Sequence, residues 1–303
     1  MKVLRAAELG MCFGVRDALG ITETLPDPTR VTIHGELVHN PEVGARLASR
    51  GFQQTAENNR TLVPLTPLVL VTAHGISNAE RVRLLAADKQ LIDTTCPLVR
   101  RVHEAAMELQ SEGRHILLSG KRGHVEVQGI VEDLASFDVI GSVDEVRDFG
   151  QERLGVVCQT TVAPDVADGI IARIEQLNPH ADIRIIETIC QPTKLRQRAL
   201  LDLIPFVDAV VVVGGRDSNN TRQLVRLCTE RSTPVLHIER ADELNPGWFA
   251  RFGTVGLTAG TSTLDSTIDE VYRALTQIRS FPLKGNVHAT ELDSAGNAHP
   301  AAT

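Results

Sequence analysis

A chain of 303 residues, 42% hydrophobic and 23% charged, is long enough for two or three domains and can bury a core. Its formal net charge of −7 disfavours a nucleic-acid surface, and eight Phe, one Trp and one Tyr are too few for a base-stacking platform. Five cysteines, an odd number in a chain of this length, argue against a disulfide framework and fit a reducing, cytoplasmic compartment.

The opening segment MKVLRAAELGMCFGV lacks the apolar core of a signal peptide, and no apolar run is long enough to span a bilayer. No membrane partner is expected. Strands are predicted at Val31–His34, Leu68–Thr72, His115–Ser119, Asp138–Ile140, Leu154–Cys158, Ile183–Ile186, Ala209–Val213, Pro234–Ile238 and Val255–Leu257. Several are continuous Val, Ile and Leu runs, as expected where helices cover both faces of a sheet. Helical spacing shows in Val166, Ile170, Ile171, Ile174 and Leu177, and again in Val271, Leu275 and Ile278. This rhythm predicts an α/β fold with mostly parallel sheets.

A cysteine recurs at domain-sized intervals: Cys12 in GMCFGV, Cys96 in DTTCPLV and Cys190 in ETICQPT. With the HG pairs of VTIHG and LVTAHG, this suggests three small α/β domains in pseudo-threefold arrangement, one cysteine from each. The expected division is 12–96, 97–189 and 190–282, the last completed by 1–11, with 283–303 as a C-terminal tail. Any one of these cysteines is equally readable as a small buried hydrophobe, Cys12 between Met11 and Phe13 above all. Cys158 and Cys228 are assigned to the core on that ground, one ending a strand and the other on a helical face with Leu224.

Polar residues follow the apolar runs in a regular way: His39, His74, His124, Glu126, Thr160, Ser218, Asn220 and Ser262. Ligands of open α/β sheets bind beyond the carboxyl ends of the strands, so one shared pocket is expected. His124 and Glu126, one residue apart, share a face in extended backbone and suit proton delivery, or form an exposed polar pair. Asp217 to Thr221 follows Gly214 and Gly215 and opens a helical stretch, as Gly260 to Thr263 also does. Both read as anion sites or as ordinary helix caps. No Walker lysine and no GxGxxG accompanies them, which fits a small enclosed ligand better than a nucleotide.

The segments GMCFGV, VHNPEV, TAHG, DTTCPLV, HVEVQG, QTT, TICQPTKLRQ, GGRDSNNT and TAGTS occur in this order between about Met1 and Ser280. In them the chain closely resembles the 4-hydroxy-3-methylbut-2-enyl diphosphate reductase (LytB) family. The resemblance implies a central [4Fe–4S] cluster held by Cys12, Cys96 and Cys190, with one iron not ligated by a protein thiolate. It implies an allylic diphosphate substrate held by His39, His74, His124, Ser218, Asn219, Asn220 and Ser262. Thr160 would bond the substrate hydroxyl, and Glu126 would supply protons, with His124 beside it. The implied reaction is a reductive dehydroxylation that yields isopentenyl and dimethylallyl diphosphate, fed by a small ferredoxin- or flavodoxin-type electron carrier.

The chain departs from the family pattern at Cys158, where a small hydroxyl residue is expected, at Asn219 in place of Ser, and at Leu264 in place of Pro. A loosened helix start is expected at Leu264. Two other readings remain open: a three-domain iron–sulfur enzyme of the quinolinate synthase type, and a non-catalytic sensor of a phosphorylated metabolite. HVEVQG and SNNT speak against the first, and Glu126 against the second, since a carboxylate weakens phosphate binding unless it does proton chemistry.

Overall fold

The structure, a computed structural model, describes residues 1–278; the expected tail 283–303 lies outside the described residues. The chain opens with strand β1 (Lys2–Arg5) and then repeats one pattern three times. The first unit runs α1 (Phe13–Thr24), β2 (Val31–His34), α2 (Pro41–Ser49), β3 (Gln53–Gln54), β4 (Leu68–Val71), α3 (Asn78–Ala86) and β5 (Gln90–Asp93). The second runs α4 (Pro97–Ser111), β6 (His115–Ser119), α5 (Val125–Val131), β7 (Phe137–Ile140), β8 (Arg153–Cys158), α6 (Pro164–Leu177) and β9 (Asp182–Ile185). The third runs α7 (Gln191–Leu203), β10 (Ala209–Val213), α8 (Asn219–Glu230), β11 (Val235–Ile238), β12 (Thr254–Ala259) and α9 (Asp265–Gln277).

Each unit builds one four-stranded sheet, and the strand orders are superimposable: β3-β2-β4-β5, β7-β6-β8-β9 and β11-β10-β12-β1. All the strand pairs are parallel, as helical crossovers require. The edge strand of the third sheet is β1, so the N-terminus supplies what the third unit lacks.

Central strands are largely apolar because helices bury both faces; every residue of β10, AVVVV, is buried. The sheets accordingly carry apolar clusters on two sides, for example Val31, Ile33 and Leu70 on one face of the first and Val69, Val71 and Leu84 on the other. Three strands escape a reading of hydrophobic runs. β1 (KVLR), β3 (QQ) and β5 (QLID) are edge strands, partly exposed, and their residues need not be apolar.

Parallel strands of one sheet end together, and the loops that follow them meet at the centre, where contacts between units are close. The Asn40 side chain donates to the Ser262 carbonyl at 2.7 Å, joining first and third units, and Ser77 donates to Glu132 at 2.7 Å, joining first and second. Asn219 donates to the Thr161 hydroxyl at 3.0 Å, joining third and second. Leu264, at the N-cap of α9, is buried in the apolar cluster of the first sheet. The leucine therefore anchors that helix start instead of loosening it.

Gly215 lies on the same seam: a Cβ there would meet the His39 carbonyl oxygen at 2.4 Å, with rigid backbone on both sides. Gly215→Ala is expected to destabilise the protein by about 1–3 kcal/mol, the usual range for overpacking. A lower Tm in thermal unfolding, with Gly44→Ala on open α2 as control, checks it.

Candidate active site

Each of the three widely spaced cysteines occupies the same place in its unit, where an edge strand hands over to a helix. Cys12, Cys96 and Cys190 are the N-cap residues of α1, α4 and α7. Their N–H groups donate to Thr261 O at 3.0 Å, Ala73 O at 3.1 Å and Thr160 O at 3.0 Å, each in the segment just beyond the strand that neighbours the edge strand. Their own carbonyls accept the first helical bonds from Arg16, Arg100 and Lys194. The backbone on both sides of each thiol is thus fully engaged, and the three sulfurs open on one cavity at the centre of the molecule.

N-cap positions favour Ser, Thr, Asp or Asn because a side-chain oxygen caps the first-turn amides. None of the three cysteines makes such a cap hydrogen bond, so the positive ends of three helix dipoles converge on the cavity. Burial nonetheless pushes the Cys190 thiol up to about 11, against the opposing pull of its bonds from Thr193. Burial raises Cys96 likewise, while the amides of Leu98 and Val99 favour its thiolate. Such thiols stay protonated until a cation draws the proton off. Gly14 makes room for them, since a Cβ there would sit 2.5 Å from the Cys96 sulfur.

His39, His74 and His124 come from two units and stack into one cluster. Their ring centroids lie 4.3 Å (His39–His74), 5.1 Å (His39–His124) and 5.5 Å (His74–His124) apart. Among the described residues this trio brings its ring nitrogens within 4.8 Å of one another. All three are held below the ordinary histidine pKa chiefly by burial, which Glu57 and Asp217 partly oppose at His39, with His124 down to about 3. The trio is neutral at pH 7. His124 is the N-cap of α5, and its Nδ1 accepts the Glu126 N–H at 3.1 Å, so the ring proton resides on Nε2. His74 has a buried Nδ1 with no protein partner.

Glu126 sits in the first turn of α5, not in extended backbone, so the period-two argument for its direction fails. The helix start brings it to the same cavity by another route. Its carboxyl accepts the Thr160 N–H at 2.7 Å on one oxygen and the Thr160 hydroxyl at 2.9 Å on the other. Burial raises its pKa to about 7 against the lowering effect of both bonds. Desolvation alone therefore poises this acid near neutrality in the ligand-free protein.

Ser218, Asn219, Asn220 and Ser262 complete the cavity wall. Ser218 caps α8 through a long bond from the Thr221 N–H at 3.4 Å, which leaves its hydroxyl proton free. Asn220 accepts the Thr261 N–H at 3.0 Å and its Nδ2 donates to the Thr193 hydroxyl at 3.4 Å, which fixes the orientation of its amide. Asn219 spends its amide on Thr161, and the Ser262 hydroxyl donates to the His39 carbonyl at 3.3 Å. The cap reading and the anion reading of these loops thus coexist.

Cys158 and Cys228 take no part: both are buried among apolar side chains, with pKa values pushed up to about 12 by burial. Two features escape the motif reading. Thr193, whose hydroxyl lies 3.1 Å from the Cys190 sulfur, was readable only as Cys plus three on a helix start. Arg196 is buried and bonds the carbonyls of Gly10 and Pro192 beside two of the cysteines, a placement that sequence spacing does not reveal.

Comparison with known proteins agrees with this geometry. The family described as LytB protein matches residues 3–276. The 4-hydroxy-3-methylbut-2-enyl diphosphate reductase of Geotalea uraniireducens is 33% identical over 285 residues, covering 92% of this chain and 98% of its own. That of Dehalococcoides mccartyi strain 195 is 36% identical over 279 residues, covering 89% and 96%. A solved structure of (E)-4-hydroxy-3-methyl-but-2-enyl diphosphate reductase, the terminal enzyme of the non-mevalonate pathway, matches with TM-score 0.65 and 32% identity, over 92% of this chain and 100% of the other. The E-1-hydroxy-2-methyl-but-2-enyl-4-diphosphate reductase of Plasmodium falciparum matches with TM-score 0.82 and 25% identity, over 94% and 93%.

The raised pKa of Glu126 makes stability depend on pH. The folded state holds this proton up to about pH 7, whereas the unfolded chain releases it near 4.5, so stability falls as pH rises through that window. Glu126→Gln removes the penalty. In cofactor-free protein it is expected to gain about 2–3 kcal/mol on the parent at pH 8 and almost nothing at pH 4. Urea unfolding at the two pH values measures it.

Proposed function

Because this chain belongs to the LytB family, we propose that it is a 4-hydroxy-3-methylbut-2-enyl diphosphate reductase. It removes the allylic hydroxyl of that diphosphate as water, giving isopentenyl and dimethylallyl diphosphate as the last step of the non-mevalonate route. The observation that carries the reading is the opening of three equivalent N-cap cysteines, a neutral histidine trio and a buried acid on one cavity.

The donor set fits an iron–sulfur cluster. Three thiols from three separate units, framed by three helix N-termini, suit an anionic metal–sulfide group, and no fourth cysteine lines the cavity among the described residues. Cys12, Cys96 and Cys190 would hold a [4Fe–4S] cluster with one iron free of protein thiolate. Such a cluster, when bound, supplies electrons and a Lewis-acid iron for the substrate hydroxyl.

The rest of the chemistry belongs to side chains. His39, His74 and His124 take the diphosphate, with Ser218, Asn219, Asn220 and Ser262 donating from the third unit. Since the histidines start neutral, binding the anion draws protons onto them and is favoured as pH falls. Asn219 must release Thr161 to join. Protonated Glu126 donates to the Thr160 hydroxyl, whose own proton then faces the substrate hydroxyl. The overall step takes two electrons and two protons: the C–O bond breaks, one proton leaves with the hydroxyl as water, and the other forms a C–H bond on the allylic fragment. The electrons come from a small carrier of ferredoxin or flavodoxin type.

No described helix is long and apolar enough to cross a membrane, which supports cytoplasmic work on a water-soluble substrate. The division into 12–96, 97–189 and 190–282 completed by 1–11 is taken as the domain organisation, with one cysteine per seam.

Anaerobic reconstitution tests the metal reading. Cys12→Ser, Cys96→Ser and Cys190→Ser should each lose the bound iron, while Cys158→Ser and Cys228→Ser keep it; equal loss in all five would end the assignment. Glu126→Gln should retain iron and bind substrate, yet turn over about 10²-fold or more slowly with a chemical reductant. Near-parental turnover would move the acid role to His124.

A further inference from the structure

Three cations follow the three cysteines by one helical turn, and each is partnered. Arg16 pairs with Asp265 at 3.2 Å, Arg100 with Asp93 at 3.2 Å and Lys194 with Glu187 at 2.9 Å. All three guanidinium or ammonium groups remain accessible to water. Arg196 differs on both counts. It is 5% exposed, and among the described residues it has no ion-pair partner.

What holds it instead are two backbone carbonyls that flank the site. Its Nε donates to Gly10 O at 2.8 Å, and its Nη1 donates to Pro192 O at 3.1 Å. Gly10 stands two residues before Cys12, and Pro192 two residues after Cys190, so one guanidinium ties together the backbones of two cysteines from different units. Gly10 reaches it by a left-handed turn (φ +77°) that brings its backbone against Ile268 and Asp265.

A buried charge without a counter-charge is strongly unfavourable, and neutral carbonyls offset only part of that cost. Burial lowers the Arg196 pKa, and the groups that act against this are Cys12, exposed Glu8 and Cys190. No carboxylate lies at ion-pair distance from Arg196 among the described residues, and the two carbonyls it holds flank Cys12 and Cys190, so its position fits a counter-charge at those sulfurs.

We infer that Arg196 is the counter-charge of the metal–thiolate centre, a positioning residue that braces the Cys12 and Cys190 backbones and sets the reduction potential. The inference rests on the proposed cluster. Reduction adds a negative charge at the centre, and a fixed buried cation beside it favours the reduced form. Arg196 is not among the residues that line the cavity, so it does so without taking the diphosphate.

The test is a redox titration of the anaerobically reconstituted full-length protein, following the visible absorbance of the cluster, with iron content on the same samples. Arg196→Gln removes the charge. Arg196→citrulline, made by semisynthesis, removes it while keeping shape and N–H donors, and so serves if the glutamine variant does not fold. Both should lower the reduced-to-oxidised ratio at fixed potential by tenfold or more, a shift of about 59 mV to more negative values for one electron. Arg196→Lys, which keeps the charge, should stay within about threefold of the parent. A neutral variant with the parent's potential, or a lysine variant shifted as far as the neutral ones, overturns the inference. Parent protein that retains no iron defeats the cluster reading instead, so the two failures are distinct.

Discussion

The site depends on one constraint: each cavity-facing thiol is held by backbone on both sides. A cysteine that donates its N–H just beyond a neighbouring strand and accepts the first bond of a helix has little freedom left. Repeated in three units, that arrangement delivers three sulfurs from remote parts of the chain to one centre with no local binding motif. The same handover aims three helix N-termini inward, so the field at the centre is set by the fold before any ligand arrives. Loops that carry the histidines, Glu126 and the hydroxyl donors then have one place to meet, beyond the strand ends.

Burial does most of the electrostatic work inside this frame. It lowers the histidines, raises the Cys96 and Cys190 thiols and brings Glu126 to about 7, three consequences of the same desolvation. A water-filled cleft would have left the carboxyl ionised and the histidines half charged. The ligand-free site therefore carries little charge of its own, and an anionic substrate and a cationic metal each find groups able to change protonation state. Arg196 is the exception, being charged throughout, and its two carbonyl partners keep it so.

Much of this was legible in the residues. Continuous Val, Ile and Leu runs located the central strands, and the three recurrent cysteine segments announced the threefold plan. The edge strands were not legible: Gln53–Gln54 has no apolar residue at all, and its pairing with β2 is decided by chain geometry. The direction of Glu126 was argued from the wrong secondary structure, because HVEV starts a helix capped by its own histidine. A cap of that kind uses a ring nitrogen, which composition-based signals for caps do not anticipate. Leu264 was misread for a related reason, since its role is settled by the first sheet's core and not by its own helix. Arg196 was beyond reach because its partners are backbone carbonyls, which leave no mark in sequence.

The closure of the third sheet by β1 orders events during synthesis. The first two units contain all four strands of their own sheets, so each can close as soon as it has left the ribosome. The third cannot, because its edge strand is the first made and must wait beside finished units until β12 emerges. Cys12 is fastened to Thr261 and so takes its final position only when almost the whole chain is present. A truncated or stalled chain therefore cannot present three converged thiols, and the cavity they line exists only in the completed polypeptide.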